Sequence, residues 1–557
     1  METSAGVTAA GRAAKALDLV VIGGGILGCA VARDAALRGL RVALVEQEDF
    51  AAGTSSASTR LIHGGLRYLE QLDFGLVRQD LAERERLLRL APHLVRPLPF
   101  LVPIYRRGWR YRLKLRAGML LYDLLAYDRS LPGHRFLSAA ETLALEPALS
   151  PAGLEGAALY YDAQVELAER LCIEQVVAAT AAGAVALNHT RVTGLLRDSA
   201  GAVAGVTARD QLDGRELTLR APVVINATGP WLDETLDLVE PGHRPLLRRT
   251  KGIHLVTPPV TRHAVVLFAG ADDRLFFVIP WLGFSFVGTT DTDYQGDPGQ
   301  ARADPDDIAY LLDEVSRAFP NAPWRQIYYT TAGVRALVRR EGVAAGAVSR
   351  KHRLLDHAAR GQPGLISIAG GKLTAHRDIA EEAVDLACRR LAIDAPSRTR
   401  QAPLPGAAGY GPATLAAARQ QGAALGLAGD QCDHLVRVYG ARYAEVLDLI
   451  AAEPRLAGRL EAGAPDCLAQ LHHAVRREYA RTLADVLLRR TTLGFSAGQG
   501  LAAAERAAAE LARALGRDAA WARAEADAYR AAVARWRDPA QAARVAFGAA
   551  ATPAAGG

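Results

Sequence analysis

Residues 18–46 read DLVVIGGGILGCAVARDAALRGLRVALVE. The apolar run Leu19–Ile22 stops at Gly23, a helical pattern extends from Ile26 to Arg38, and Gly39 ends it. A second apolar run, Val42–Val45, leads to Glu46. This change of period predicts strand, helix and strand in succession. Gly23, Gly25 and Gly28 form G-x-G-x-x-G at the first turn, where bare backbone lets a pyrophosphate approach and the helix N-terminus faces the anion. Glu46 lies 18 residues beyond Gly28, where a carboxylate accepts hydrogen bonds from a ribose diol. Strand, helix and acid together predict dinucleotide binding, and the motif leaves NAD and FAD both open.

Two segments further along favour a flavin. VVINATGPW (223–231) is an apolar strand ending in Ala227-Thr228-Gly229, and ISIAGGKLTAHR (366–377) is another, ending in Gly370 and Gly371 before an expected helix. Three strands with glycine-bearing ends are suited to gather around one long, buried cofactor. GTSSASTRLIHGGLRYLE (53–70) sets Thr54, Ser55, Ser56, Ser58 and Thr59 beside Arg60, His63, Arg67 and Tyr68. That concentration of donors, glycine and positive charge fits neither a clean strand nor an amphipathic helix.

The chain of 557 residues has room for two or three domains. Half of it is hydrophobic and 23% charged, an ordinary globular balance. Cys29, Cys172, Cys388, Cys432 and Cys467 are scattered, which argues against a disulfide framework, a metal site or a cysteine-ligated cluster and points to a reducing cytoplasm. The first 16 residues lack an apolar h-region and read as a disordered arm rather than a secretory signal. Nowhere do about 18 apolar residues run together, so no membrane span is expected. Residues 76–96 read as an arginine-rich helix with Leu81, Leu87 and Leu88 inward, and about 155–290 as short antiparallel strands of a second sheet, with a hairpin at 276–288. PLPGAAGYGP near residue 400 marks a linker to a helical domain that includes RREYARTLADVLLRRT (476–491). GAAATPAAGG at the end reads as a frayed tail.

GGGILGCAVARDAALRG, GTSSASTRLIHGGLRYLE, NATGPW, GTTDTDY, AGVRAL and GGKLTAHR follow in this order, and the set resembles the aerobic FAD-dependent glycerol-3-phosphate dehydrogenase family. RREYARTLADVLLRRTTLGF is similar to that family's helical C-terminal domain, so the resemblance covers nearly the whole chain. It implies an α/β + α fold. A Rossmann-like FAD-binding domain of the glutathione-reductase/D-amino-acid-oxidase type would be interleaved, within 17–395, with an antiparallel-sheet substrate domain mainly at about 90–160 and 235–340. A helical C-terminal domain would follow over 400–548.

The resemblance further implies which residues meet the ligands. FAD would be contacted by Gly23, Gly25, Gly28, Glu46, Thr54, Ser55, Ser56, Ser58, Thr59, His63, Gly64, Gly65, Ala227, Thr228, Gly229, Gly370, Gly371, Lys372, Leu373 and Thr374. Glycerol 3-phosphate would be met by Arg67, Tyr68, His254, Arg335 and Lys372, the cations suiting its phosphate. Oxidation requires the C2 hydrogen to leave as hydride to the flavin N5 while a base takes the hydroxyl proton. His254, in TKGIHLV, is the first candidate base; His63, in IHGG, is the second, or only a flavin contact. Thr289 to Asp293 (TTDTD) support the pocket or form a capped turn. The family commonly has Thr-Tyr where Ala375 and His376 stand, which puts the finer shape of the pocket in question.

The excess charge is +6, and IYRRGWRYRLKLR (104–116) alone holds six cations and no acid, interleaved with Tyr105, Trp109 and Tyr111. With LRAGMLLYDLLAY after it, this fits an interfacial segment on an anionic membrane surface, and so a chain peripherally associated with the inner face of the cell membrane. The resemblance implies membrane quinone as electron acceptor, with oxygen as the alternative. An amine or amino-acid oxidase of the same fold, or a non-enzymatic flavoprotein, are the more distant readings. No nucleic-acid motif accompanies the charge, and a homodimer is left open.

Overall fold

The computed structural model describes residues 16–537 apart from 71, 107, 325 and 340–350, and leaves the side chains of Arg67 and Glu70 undescribed. The expected N-terminal arm, but for its last residue, and the expected C-terminal tail lie outside the described residues.

The strand Leu19–Ile22, the helix Ile26–Leu37 and the strand Val42–Val45 form as the change of period predicts. Leu19–Ile22 is central in a six-stranded sheet of order 353–356, 365–369, 223–226, 19–22, 42–45, 185–187, parallel except at the first strand. The parallel strands are almost wholly buried because both faces are covered. On one face pack the helices Ile26–Leu37, Ala168–Ala181 and His376–Leu391. On the other lies a three-stranded antiparallel sheet, Thr190–Arg197, Val203–Asp210 and Glu216–Arg220, whose Val203, Val206, Ala208 and Leu219 share a core with Val20, Val45 and Val224.

A ten-stranded sheet stands beside this layer. Its long strands Val95–Tyr105, Leu154–Val165, Leu247–Thr257 and Tyr329–Val338 carry the shorter ones, including the hairpin Leu275–Trp281 and Phe284–Gly288. The antiparallel pieces expected in one second sheet thus divide between two. Leu61–Ile62, directly after the hydroxyl-rich loop, pairs with Leu154–Val165, so that loop joins the two large sheets. The helix expected over 76–96 runs from Phe74 to Leu90, capped by Asp73, because Val95 and Arg96 are claimed by strand pairing with Val165 and Gln164.

From residue 400 to 537 the chain is mainly helical, with a separate core built from Leu435, Val446, Leu471, Leu487, Leu511 and Val533 among others. The helix expected through 476–491 is broken there. It stops at Arg477; Glu478 turns inward to salt-bridge Arg170 at 2.5 Å, Tyr479 takes φ 62°, and a short π-turn occupies Val486–Arg490. A fully buried carboxylate must be paired, and Arg170 with Arg442 pairs it. Among the described residues no helix is long and apolar enough to cross a membrane.

Candidate active site

A cavity of ≈1040 Å³ opens at the carboxyl ends of the parallel strands and reaches the ten-stranded sheet. Gly23, Gly25 and Glu46, then Ala227, Thr228 and Gly229, then Gly370, Gly371, Leu373 and Thr374, all line it, which puts the three glycine-bearing strand ends on one ligand crevice. Gly23 has φ +102°, and a Cβ there would stand 2.7 Å from the Ala227 carbonyl oxygen. Gly28 does not face the cavity. A Cβ on it would meet the Gly23 carbonyl oxygen at 1.8 Å, so its role is to let the helix sit tightly on the turn. Glu46 accepts from the Gly24 and Glu48 amides at 2.5 and 2.8 Å. Burial pushes its carboxyl up to about 7, and hydrogen bonds from a ribose diol would favour the charged form. Length, bare turns and a diol-accepting acid together fit a dinucleotide such as FAD.

The hydroxyl-rich loop runs along this cavity. Ser55 Oγ accepts from the Ile26 amide at 2.9 Å, tying the loop to the start of the phosphate-facing helix. Thr54 donates to the Val334 carbonyl at 2.7 Å, and Ser58 accepts from the Arg60 amide. Thr54, Ser55, Ser58, Thr59, His63 and Gly65 line the cavity, whereas Ser56 and Gly64 do not. Ser56 donates to the Gly53 carbonyl and borders a small rear cavity instead; Gly64 donates its amide to the Tyr122 hydroxyl at 3.0 Å. The His63 amide reaches Thr374 Oγ1 at 3.1 Å, joining the loop to the last glycine-bearing segment.

At the far end the strands Leu247–Thr257 and Tyr329–Val338 bring His254 and Arg335 together. The His254 ring stacks on Phe286 with centroids 4.2 Å apart, and its Nε2 lies 3.1 Å from Thr59 Oγ1. Burial, then the charges of Arg335 and Arg60, hold its imidazole well below the ordinary value, hence neutral. Its buried Nδ1 has no hydrogen-bond partner among the described residues. Arg335 donates to Thr289 Oγ1 at 2.9 Å, to the Thr290 carbonyl at 3.1 Å and to Asp291 at 3.0 Å. Gly252 makes room for it: a Cβ there would lie 2.3 Å from Arg335 Nη2. Lys372 stands over the Tyr68 ring, 4.4 Å from its centroid, and is salt-bridged to Asp80. Burial pushes the Asp80 carboxyl up to about 6 against the pull of that ammonium. The Arg67 side chain lies outside the described residues.

Several participants were not legible in the sequence. Asp80 sits in an arginine-rich helix 292 residues from Lys372, and nothing local marks it as a partner. Phe286 and Gly252 are ordinary strand residues until register sets them beside His254 and Arg335. Ala375 and His376 fall behind the cavity wall: His376 is buried, with Nδ1 2.7 Å from the Leu373 carbonyl and Nε2 3.1 Å from Gln175. The departure from the family pattern therefore bears on packing behind the pocket rather than on its surface.

The mouth of the cavity is lined by Leu72 and Phe74 and by Tyr111, Lys114, Leu115, Gly118 and Leu121 of the helix Gly108–Leu125. This helix buries Met119 and Tyr122, yet it also exposes an apolar stripe, Trp109, Leu113, Leu120 and Leu124, continued by Tyr127. Arg106, Arg110, Arg112, Lys114 and Arg116 are exposed around the stripe.

Comparison with known proteins agrees with this geometry. Residues 18–377 match the family described as FAD dependent oxidoreductase, and 397–522 match the C-terminal domain of alpha-glycerophosphate oxidase. The chain is 43% identical over 508 residues to a glycerol-3-phosphate dehydrogenase of Synechocystis sp., covering 87% of this chain and 92% of that protein. It is 36% identical to the aerobic glycerol-3-phosphate dehydrogenase of Bacillus subtilis, with 86% and 87% covered. The crystal structure of a glycerol-3-phosphate dehydrogenase from Bacillus halodurans complexed with FAD superimposes with a TM-score of 0.78 at 31% identity, over 97% of this chain and 99% of that one.

Proposed function

The chain belongs to the FAD-dependent glycerol-3-phosphate dehydrogenase family, and from that premise we propose that it oxidises sn-glycerol 3-phosphate to dihydroxyacetone phosphate and passes the electrons to quinone at a membrane surface. The observation that carries this reading is one continuous cavity, with a dinucleotide cradle at one end, a neutral histidine beside cations at the other, and an apolar, cationic helix along its rim.

FAD, when bound, supplies the acceptor for the hydride that leaves C2. Arg335 holds the phosphate, its guanidinium fork aimed by Thr289, Thr290 and Asp291. Lys372, held by Asp80 over Tyr68, adds a second positive charge to the same cavity. His254, unprotonated because it is buried and held in plane by Phe286 and Thr59, takes the C2 hydroxyl proton. His63, just past the strand Leu61–Ile62 and lining the same cavity, remains the alternative base.

The exposed stripe on Gly108–Leu125 and its flanking cations suit docking on the anionic inner face of a bilayer, which would bring a lipid-soluble acceptor to the cavity mouth. The match of 397–522 to a domain named for an oxidase favours oxygen as the second reading of the acceptor.

Anaerobic addition of glycerol 3-phosphate to the FAD-loaded protein should abolish the flavin absorbance, while glycerol and small amino acids leave it unchanged. Reoxidation by a quinone analogue without peroxide supports the dehydrogenase reading. Peroxide equal to substrate consumed in air would transfer it to the oxidase, and a flavin that no polyol phosphate bleaches would overturn both.

A further inference from the structure

The cofactor loop, from Glu46 to Arg60, has two faces. One lines the cavity; the other rests on the segment Glu478–Phe495 of the helical C-terminal region. At the adenosine end, Asp49 is fully buried and receives Arg489 Nε at 2.5 Å, Arg490 Nη2 at 2.8 Å and Asn188 Nδ2 at 2.9 Å. Asn188 also donates to the Tyr479 carbonyl at 2.8 Å, and the Tyr479 ring meets Phe50 edge-on at 6.3 Å. Phe50 is itself packed on the phosphate turn: a Cβ on Gly24 would lie 2.7 Å from its ring.

At the flavin end, the buried Arg60 guanidinium lies against the rings of both Trp281 and Phe495, 4.9 and 5.1 Å from their centroids. It donates to the Ser56 carbonyl at 2.9 Å and pairs with Glu169. The Phe495 carbonyl in turn accepts from Tyr329. One stretch of the helical region thus grips both ends of the loop. Its two arginines also neutralise Asp49, an acid three residues from Glu46 that would otherwise oppose a bound pyrophosphate.

We propose that the helical C-terminal region is a cofactor-retention element: Arg489, Arg490 and Phe495 act as positioning residues that hold the loop in its FAD-binding conformation from behind, touching neither cofactor nor substrate. Removing Arg490 takes from the buried Asp49 one of its two cations and leaves Arg489 and Asn188 to hold it, so the loop should relax away from the cradle.

The test uses the full chain, stripped of FAD and retitrated by fluorescence quenching, with thermal unfolding followed without FAD and in excess FAD. Arg490→Met and, separately, Phe495→Leu should raise the Kd for FAD at least tenfold. The gap between the two melting temperatures should shrink, since ligand stabilisation falls as Kd rises. Asp49→Asn combined with Arg490→Met should recover part of the loss, and KM for glycerol 3-phosphate in saturating FAD should be unchanged. If Arg490→Met does not fold, Phe495→Leu and the double variant decide. An unaltered Kd with both melting temperatures lowered together would overturn the proposal, because that is the signature of a region that only supports the fold.

Discussion

Replacing Leu113, Leu120 and Leu124 together by Gln removes the centre of the apolar stripe at the cavity mouth. Their exposures are 59%, 56% and 62%, so each has a little over half of its surface left to bury against lipid. Full burial of a leucine side chain is favourable by about 2 kcal/mol, which gives roughly 1 kcal/mol for each exposed part and about 3–4 kcal/mol for the three. The partition constant for vesicles should fall on the order of 100- to 1,000-fold. None of the three packs in the protein core, so circular dichroism and FAD content should match the parent. The assay is sedimentation with vesicles containing anionic phospholipid, run beside turnover with a vesicle-borne quinone and with a water-soluble dye. Binding and quinone turnover should fall together while dye turnover holds. Added salt should weaken the parent further, because each basic residue near an anionic surface contributes about 1 kcal/mol that counterions screen. Undiminished sedimentation of the triple variant, or an equal loss with the dye, would refute the docking argument.

Arg335→Met should lower kcat/KM for glycerol 3-phosphate about 10- to 150-fold, the cost of one charged hydrogen-bonded contact, with FAD content and the slow rate on glycerol unchanged; equal losses on both substrates would remove it from the phosphate site. His254→Gln should cut kcat on the order of 100- to 10,000-fold with the flavin spectrum intact, and a parental rate would shift the base role to His63. His376, held to about 4 by burial, refuses a proton that the unfolded chain accepts at an ordinary value of about 6.5. The stability it contributes is therefore complete above pH 6.5 and declines as pH falls toward 4, by up to roughly 3 kcal/mol. Denaturant titrations across that window should show a shallower slope in His376→Gln, and an identical slope would contradict the burial account.

The dinucleotide unit was legible because each of its signals is local: the period changes, the glycines end the strands, and Glu46 lies one short strand away. The same locality failed at 476–491, where helical spacing is real but Glu478 answers to Arg170, 308 residues away. Composition locates the hydroxyl-rich loop but does not say which way each hydroxyl turns: Ser56 bonds the Gly53 carbonyl and borders only the small cavity behind, whereas Thr54, Ser55 and Ser58 line the main one. Similarly, the charge run at 104–116 was visible in sequence, but the face that Leu113, Leu120 and Leu124 present was not, since that depends on Met119 and Tyr122 being the residues that pack inward.

Gly252 lies opposite Gly333 in the strand ladder and beside the Arg335 guanidinium. A Cβ at Gly252 would meet Arg335 Nη2 at 2.3 Å and Thr289 Oγ1 at 2.5 Å, so any side chain there would push the guanidinium off the partners that aim it. One added methyl group in a neighbouring strand would thus re-aim a cation without altering a single charge in the sequence.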